Sequence, residues 1–188
     1  MLIVWDYFGV VAGNPYWDEV DEWAERNKVY DQLRQVQLLS DEGKLSWDEY
    51  CQQVSKMTGR DIDTVQDRYA EHRVNKATIA IVRSLTSHRH VLLSNASHQY
   101  LLPIMSELGL DTLFEQCFVS SELGIAKPDP AAYRYVLNQM GSRPEESIAI
   151  DDGAPNIEGA KSIGMSGIVF TNATQCAQEL SGLVRTTS

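Results

Sequence analysis

From residue 76 onward, short apolar runs alternate with stretches in which apolar residues recur every three or four positions. "IAIVRSL" reads as a helix and "HVLLSNAS" as a strand that ends in small polar residues. In "HQYLLPIMSELGL", Leu101, Ile104, Met105 and Leu108 give one apolar helix face. "CFVSS" predicts a strand. In "PDPAAYRYVLNQMG", Tyr133, Val136, Leu137 and Met140 repeat the helical spacing, with Asp129 as N-cap and Pro130 first inside. "SIAIDDG" and "GIVF" predict strands, "APNIEGAKSIG" and "NATQCAQELSGLV" helices. With the opening "LIVW", apolar strands alternating with amphipathic helices specify a parallel sheet covered on both faces.

Between these parts, the chain from about Asn14 to Arg73 shows helical spacing and no strand signal. Asn14-Pro15 suits a helix start, since proline loses nothing at a first turn. In "DEGKLSWDEY", Ser46 and Glu49 have the spacing of a capping box, each side chain bonding the other's backbone N–H. "DIDTVQDRYAEHR" predicts a further helix. The expected architecture is an α/β, Rossmann-like core made of residues 1–13 and 76–188. A small all-helical domain of residues 14–75 interrupts it after the first strand.

The 188 residues are enough to bury roughly 70% of the unfolded surface without staples. A net charge of −10 and no Lys/Arg cluster argue against nucleic acid and anionic membranes as partners. The same field opposes an anionic substrate unless a cation reverses it locally. Cys51, Cys117 and Cys176 are scattered without CxxC spacing, so no disulfide or zinc framework is expected. His72, His88, His90 and His98 lack a metal-ligand pattern, and "SHRHV" reads as a turn entering a strand. No apolar run is long enough to span a bilayer, and "LIVW" is too short for a secretory h-region. The expected compartment is cytoplasmic, with the protein a monomer or homodimer.

In open parallel sheets, ligands bind beyond the carboxyl ends of the strands. There the sequence places Asp6, then Ser94-Asn95-Ala96-Ser97, then Lys127, then Asp151-Asp152 with Asn156 soon after. Singly, each has a plainer reading: Asp6 or Asp152 as a turn or helix cap, Ser94 or Ser97 as an N-cap, Lys127 as a solvated loop residue. Together, in this order and at these strand ends, they converge on one edge as a candidate site.

Those segments resemble the haloacid dehalogenase-like superfamily over residues 1–170. "DYFGV" is similar to its D-x-D-G-[TV] motif except at Phe8, "VLLSNAS" to its strand ending in Ser or Thr, "AKPDPAAY" to its lysine motif, and "IAIDDGAPN" to its acidic pair. The helical block resembles that superfamily's small cap, and "DEGKLSWDEY" resembles cap segments of its sugar-phosphate phosphatases. The resemblance implies a phosphatase in which Asp6 becomes an aspartyl phosphate. It implies Mg²⁺ held by Asp6, the Phe8 carbonyl and Asp152, supported by Asp151 or Asn156. Ser94, the N–H groups around Asn95, and Lys127 would bind the phosphoryl oxygens. Phe8 removes the carboxyl that would protonate the leaving group, help worth about 10²–10⁴-fold. Two alternatives stay open. One is a haloacid dehalogenase, where Asp6 displaces halide and needs no such acid. The other is a weakly active or inactive module that binds a phospholigand or protein through Trp17, Trp23 and Trp47, read as exposed. Tyr16, Trp17 and Arg34 are the candidates for reaching the site from the helical block.

Overall fold

A computed structural model describes residues 1–185. Its elements run β1 (Leu2–Trp5), β2 (Ala12–Gly13), α1 (Pro15–Arg26), α2 (Tyr30–Asp41), α3 (Trp47–Thr58), α4 (Ile62–Tyr69), β3 (Arg73–Val74), α5 (Lys76–Ser84) and β4 (Arg89–Ser94). They continue with α6 (His98–Glu107), β5 (Gln116–Val119), α7 (Ser120–Leu123), α8 (Pro130–Met140), β6 (Ser147–Asp151), α9 (Ala154–Lys161), β7 (Ser166–Val169) and α10 (Ala173–Arg185). The main sheet has the order β5-β4-β1-β6-β7, and every pairing in it is parallel.

Its central strand shows why the run "LIVW" has no polar alternation. Ile3 and Trp5 join one buried cluster, with Ile79 and Val82 of α5, Leu101 and Met105 of α6, and Leu180 of α10. Leu2 and Val4 point the other way, into a cluster with Ala132, Val136 and Leu137 of α8 and Ile157 of α9. Both faces of β1 are therefore covered, as an α/β sheet requires. His90 is part of this packing: its Nδ1 accepts from Trp5 Nε1 at 3.0 Å.

The helix starts follow their sequence signals. Asn14 Oδ1 accepts from Tyr16 N–H (2.8 Å), Asp129 caps α8 through Ala131 N–H (2.8 Å), and the Ser46/Glu49 capping box is complete. Three expectations need correction. The block after Asn14 is not helical throughout, because Arg73–Val74 pairs antiparallel with Ala12–Gly13. This two-residue ribbon joins the outgoing and returning chain, and Asn75 N–H extends it to the Val11 carbonyl at 2.9 Å. The strand in "CFVSS" stops at Val119, and Ser120 and Ser121 open the short helix α7. Trp17, Trp23 and Trp47 are not exposed but partly buried against the larger core cluster. The three cysteines are free, and among the described residues no helix is long and apolar enough to cross a membrane.

Candidate active site

Asp6 follows directly on β1, and its N–H continues the sheet ladder to the Ile150 carbonyl at 2.9 Å. The chain then turns tightly: the Tyr7 carbonyl accepts from the N–H groups of both Val11 and Ala12 at 2.9 Å. Gly9 sits in that turn at φ +76°, where a Cβ would also run into Asp152 Oδ2. Only glycine combines that backbone with so close an approach of the acidic pair.

Lys127 reaches the same point from the loop before α8. Its Nζ donates to Asp6 Oδ1 and to Asp151 Oδ2, both at 2.6 Å, and all three side chains are buried. The lysine loop is fixed by a reciprocal pair: Asn95 Nδ2 donates to the Lys127 carbonyl (2.7 Å), and Lys127 N–H donates to Asn95 Oδ1 (2.8 Å). Asp151 Oδ1 accepts from Gly153 N–H and Asn156 Nδ2, both at 2.8 Å. Asp151 is thus fully engaged in holding Lys127 and the start of α9. Asp152 is exposed toward the cavity beside it.

Charge in the cluster is unbalanced. Carboxylate oxygens of Asp6, Asp151 and Asp152 lie within 4.8 Å of one another, and Lys127 is bonded to the first two of them. Burial raises the Asp6 pKa above the ordinary carboxylate range; Lys127 opposes the rise, and Asp151 and Asp152 add to it. Asp152 is raised as well, by burial and then by Asp151. Burial opposes the charge on Lys127, but Asp6 and Asp151 outweigh it and hold the ammonium above its ordinary value. An all-oxygen donor set with surplus negative charge suits a hard divalent cation. Ser94 is fully buried at the end of β4, and its Oγ has no hydrogen-bond partner among the described residues. A buried hydroxyl left unpaired is costly, so a ligand oxygen would stabilise it. Ala96 N–H does not face the cavity unpartnered, because it donates to Ser120 Oγ at 3.0 Å.

A cavity of about 470 Å³ opens beside these groups, with Ser94 and Asp151 set behind its lining. Asp6, Lys127, Asp152, Asn95 and Asn156 form its floor, while Trp17, Arg34, Asp41 and Trp47 enter from the helical block. Of the three candidates from that block, Trp17 and Arg34 line the cavity. Tyr16 does not, being buried with the Arg60 and Arg68 guanidiniums over its ring. Phe8 also lines the cavity. Its ring stacks on Tyr100 (6.3 Å, 5°) and meets Trp17 edge-on (6.1 Å), and Tyr100 in turn stacks on Trp47 at 4.1 Å. His72 holds this wall from behind, bridging Tyr7 Oη (2.8 Å) and Tyr100 Oη (2.7 Å). Burial lowers its pKa to about 4, so it is neutral at pH 7. Neither His72 nor Asp41 was assigned a role from the sequence: Asp41 opens "DEGKLSWDEY", which resembles cap segments without marking that side chain, and His72 belongs to no metal-ligand spacing.

A family model described as haloacid dehalogenase-like hydrolase matches residues 1–164. The chain is 24% identical, over 196 residues, to the D-ribitol-5-phosphate phosphatase of Bacteroides thetaiotaomicron, covering 95% of each protein. Several other relatives match only 72 to 83 residues, and the chain covers 14 to 37% of their length. Among solved structures, a HAD family enzyme from B. thetaiotaomicron in complex with magnesium and inorganic phosphate has a TM-score of 0.73 at 18% identity, with 90% of this chain and 93% of that one covered. The L-2-haloacid dehalogenase of Xanthobacter autotrophicus has a TM-score of 0.67 at 19% identity, with 96% and 82% covered. At such identities these two likenesses show the fold.

Proposed function

This chain belongs to the haloacid dehalogenase-like hydrolases, and from that premise we propose that it is a Mg²⁺-dependent phosphatase of a small phosphorylated metabolite, a sugar phosphate being the best fit. The observation that carries the reading is the third carboxylate. Halide displacement by Asp6 needs Lys127 at most, and Asp152 beside it would be charge without a use. A metal-dependent phosphatase uses it.

In this reading Asp6, the Phe8 carbonyl and Asp152 would hold Mg²⁺, and Asp151 and Asn156 would support them by fixing Lys127 and the start of α9. When bound, the ion would supply positive charge that offsets the acidic cluster. Asp6 attacks phosphorus, and the bond from phosphorus to the leaving oxygen breaks. The aspartyl phosphate is then hydrolysed by water, which restores the Asp6 carboxylate. Lys127 Nζ, the otherwise unpaired Ser94 Oγ and N–H groups near Asn95 take up charge on the phosphoryl oxygens. The relative acting on ribitol 5-phosphate supports a polyol or sugar phosphate as substrate.

The test is phosphate release from p-nitrophenyl phosphate and acetyl phosphate, with Mg²⁺ or EDTA. Both have leaving groups that need little protonation, so Phe8 cannot mask activity. Turnover should require Mg²⁺. Asp152→Asn should raise the Mg²⁺ concentration for half-activation about 100-fold or more, against about tenfold for the supporting change Asp151→Asn. The reverse ranking would show that the roles of the acidic pair are exchanged. Halide release from 2-haloacids in EDTA, without phosphate release, would establish the dehalogenase reading instead.

A further inference from the structure

The leaving group of an alkyl phosphate departs as an alkoxide unless something gives it a proton, and Phe8 has none to give. Asp41 is the last residue of α2 and lines the same cavity as Asp6 and Lys127. It is held by the sheet domain's own elements. Ser120 Oγ of α7 donates to the Asp41 carbonyl at 2.5 Å. Two residues on, Gly43 at φ +72° packs so tightly on the Ser121 carbonyl that a Cβ would collide with it. The end of α2 is therefore fixed on α7, next to the site. Asp41 is half-buried, and its carboxyl has no hydrogen bond or ion pair among the described residues.

We propose that Asp41 is the proton donor to the leaving group, acting from the helical block in the role that Phe8 cannot fill. This rests on the phosphatase reading above. In the first step Asp6 forms its bond to phosphorus, the phosphorus–oxygen bond of the ester breaks, and the Asp41 carboxyl proton passes to the departing oxygen, giving the alcohol. In the second step the Asp41 carboxylate takes a proton from water as the water oxygen bonds phosphorus. The bond from phosphorus to Asp6 breaks, releasing inorganic phosphate. Asp41 begins the next cycle protonated.

Its surroundings suit this cycle. Burial raises the Asp41 pKa to about 7; Arg34 on the same helix and Lys127 on the sheet side oppose the rise, and Glu42 adds to it. Tyr50 of α3 also faces it and stays neutral, held by burial well above its ordinary value. A donor whose pKa lies near the working pH transfers protons in both directions most effectively. Asp21, the other raised carboxyl that the helical block brings to the cavity, is a poorer candidate: burial and then Arg34, Asp18 and Glu25 set its pKa, all of them within the helical block and none on the sheet side.

The experiment compares kcat/KM for glycerol 2-phosphate and for p-nitrophenyl phosphate in wild type, Asp41→Asn and Asp41→Asn/Phe8→Asp. Asp41→Asn should lower the alkyl substrate about 100-fold. Its effect on the aryl substrate should be at least about tenfold smaller, because that leaving group needs little protonation. Adding Phe8→Asp should recover alkyl turnover. The wild-type ratio of alkyl to aryl rates should fall as pH rises above 7, a measurement that decides the matter even if Asp41→Asn fails to fold. Equal losses on both substrates, or a ratio independent of pH, would overturn the proposal and leave the phosphatase reading standing. No turnover of p-nitrophenyl phosphate by the wild type would overturn that reading, and this proposal with it.

Discussion

Asp6→Asn should abolish metal-dependent phosphate release, lowering kcat/KM by at least about 10⁴-fold, while leaving a folded protein. The amide oxygen is neutral and a poor nucleophile, yet it has the size and shape of the carboxylate and can still accept from Lys127 Nζ. Stability should move the other way. The Asp6 pKa is raised in the folded protein by burial, so the metal-free native state keeps a proton that the unfolded chain has already released. The unfolded chain loses that proton at an ordinary carboxylate pKa of about 4. In the metal-free wild type the Asp6 contribution to stability is therefore greatest at acid pH and is lost as pH rises through the folded pKa. Asparagine cannot ionise. In EDTA the melting temperature of Asp6→Asn should fall less between pH 5 and pH 8 than that of wild type, and Mg²⁺ should raise the wild type more than the variant. Melting curves at those two pH values, beside phosphate-release assays, read both effects. Turnover within tenfold of wild type by the well-folded variant would place the nucleophile elsewhere.

What made Asp6, Lys127, Asp151, Asp152 and Asn156 readable was their position rather than their type. Each follows an apolar run or its loop, and a parallel sheet brings all such ends to one edge. The strands themselves were readable because both faces are covered, so that "LIVW" and "IAI" have no polar position to confuse the pattern. The ribbon of Ala12–Gly13 with Arg73–Val74 was not: two residues have no period, and its partners are 62 (12 to 74) and 60 (13 to 73) positions apart. The small helix at Ser120 was hidden because "CFVSS" carries β-favouring residues up to the point where the chain turns. The roles of Asp41 and His72 were unreadable for a different reason. A polar residue on an amphipathic helix or in a turn is the ordinary case, and only the packing of α2 on α7, or of His72 between two tyrosines, sets these apart. The aromatic wall also gives Phe8 a physical rationale. Its ring is one member of a stack with Tyr100 and Trp47, so the position lost to acid–base chemistry holds the helical block's aromatic residues over the floor of the site.

Lys127→Met should be the most destabilising single change at the site, costing about 3–5 kcal/mol at neutral pH without metal. Methionine keeps most of the stem's packing, so the loss isolates the charge. Lys127 Nζ has two 2.6 Å contacts, and the side chains involved are 3% exposed for Lys127, 9% for Asp6 and 3% for Asp151. Water cannot replace the ammonium at such depth without opening the loop that Asn95 clamps. Removing it leaves Asp6 and Asp151 facing each other and Asp152, with no cation bonded to them. Pairing two buried carboxylates with one lysine is a poor way to gain stability, but breaking the pairing is far worse than never having made it. The deficit should shrink at acid pH, where a proton on the cluster replaces part of the missing charge, and should shrink again when Mg²⁺ is added. Asp6→Asn in the same chain should recover part of it, because the two changes share one interaction and cannot be additive. Urea unfolding of the two single variants, the double variant and the wild type measures each of these differences. A loss below 1 kcal/mol for Lys127→Met in EDTA at pH 8 would mean that water reaches the cluster and that the triad does not hold the active-site floor together.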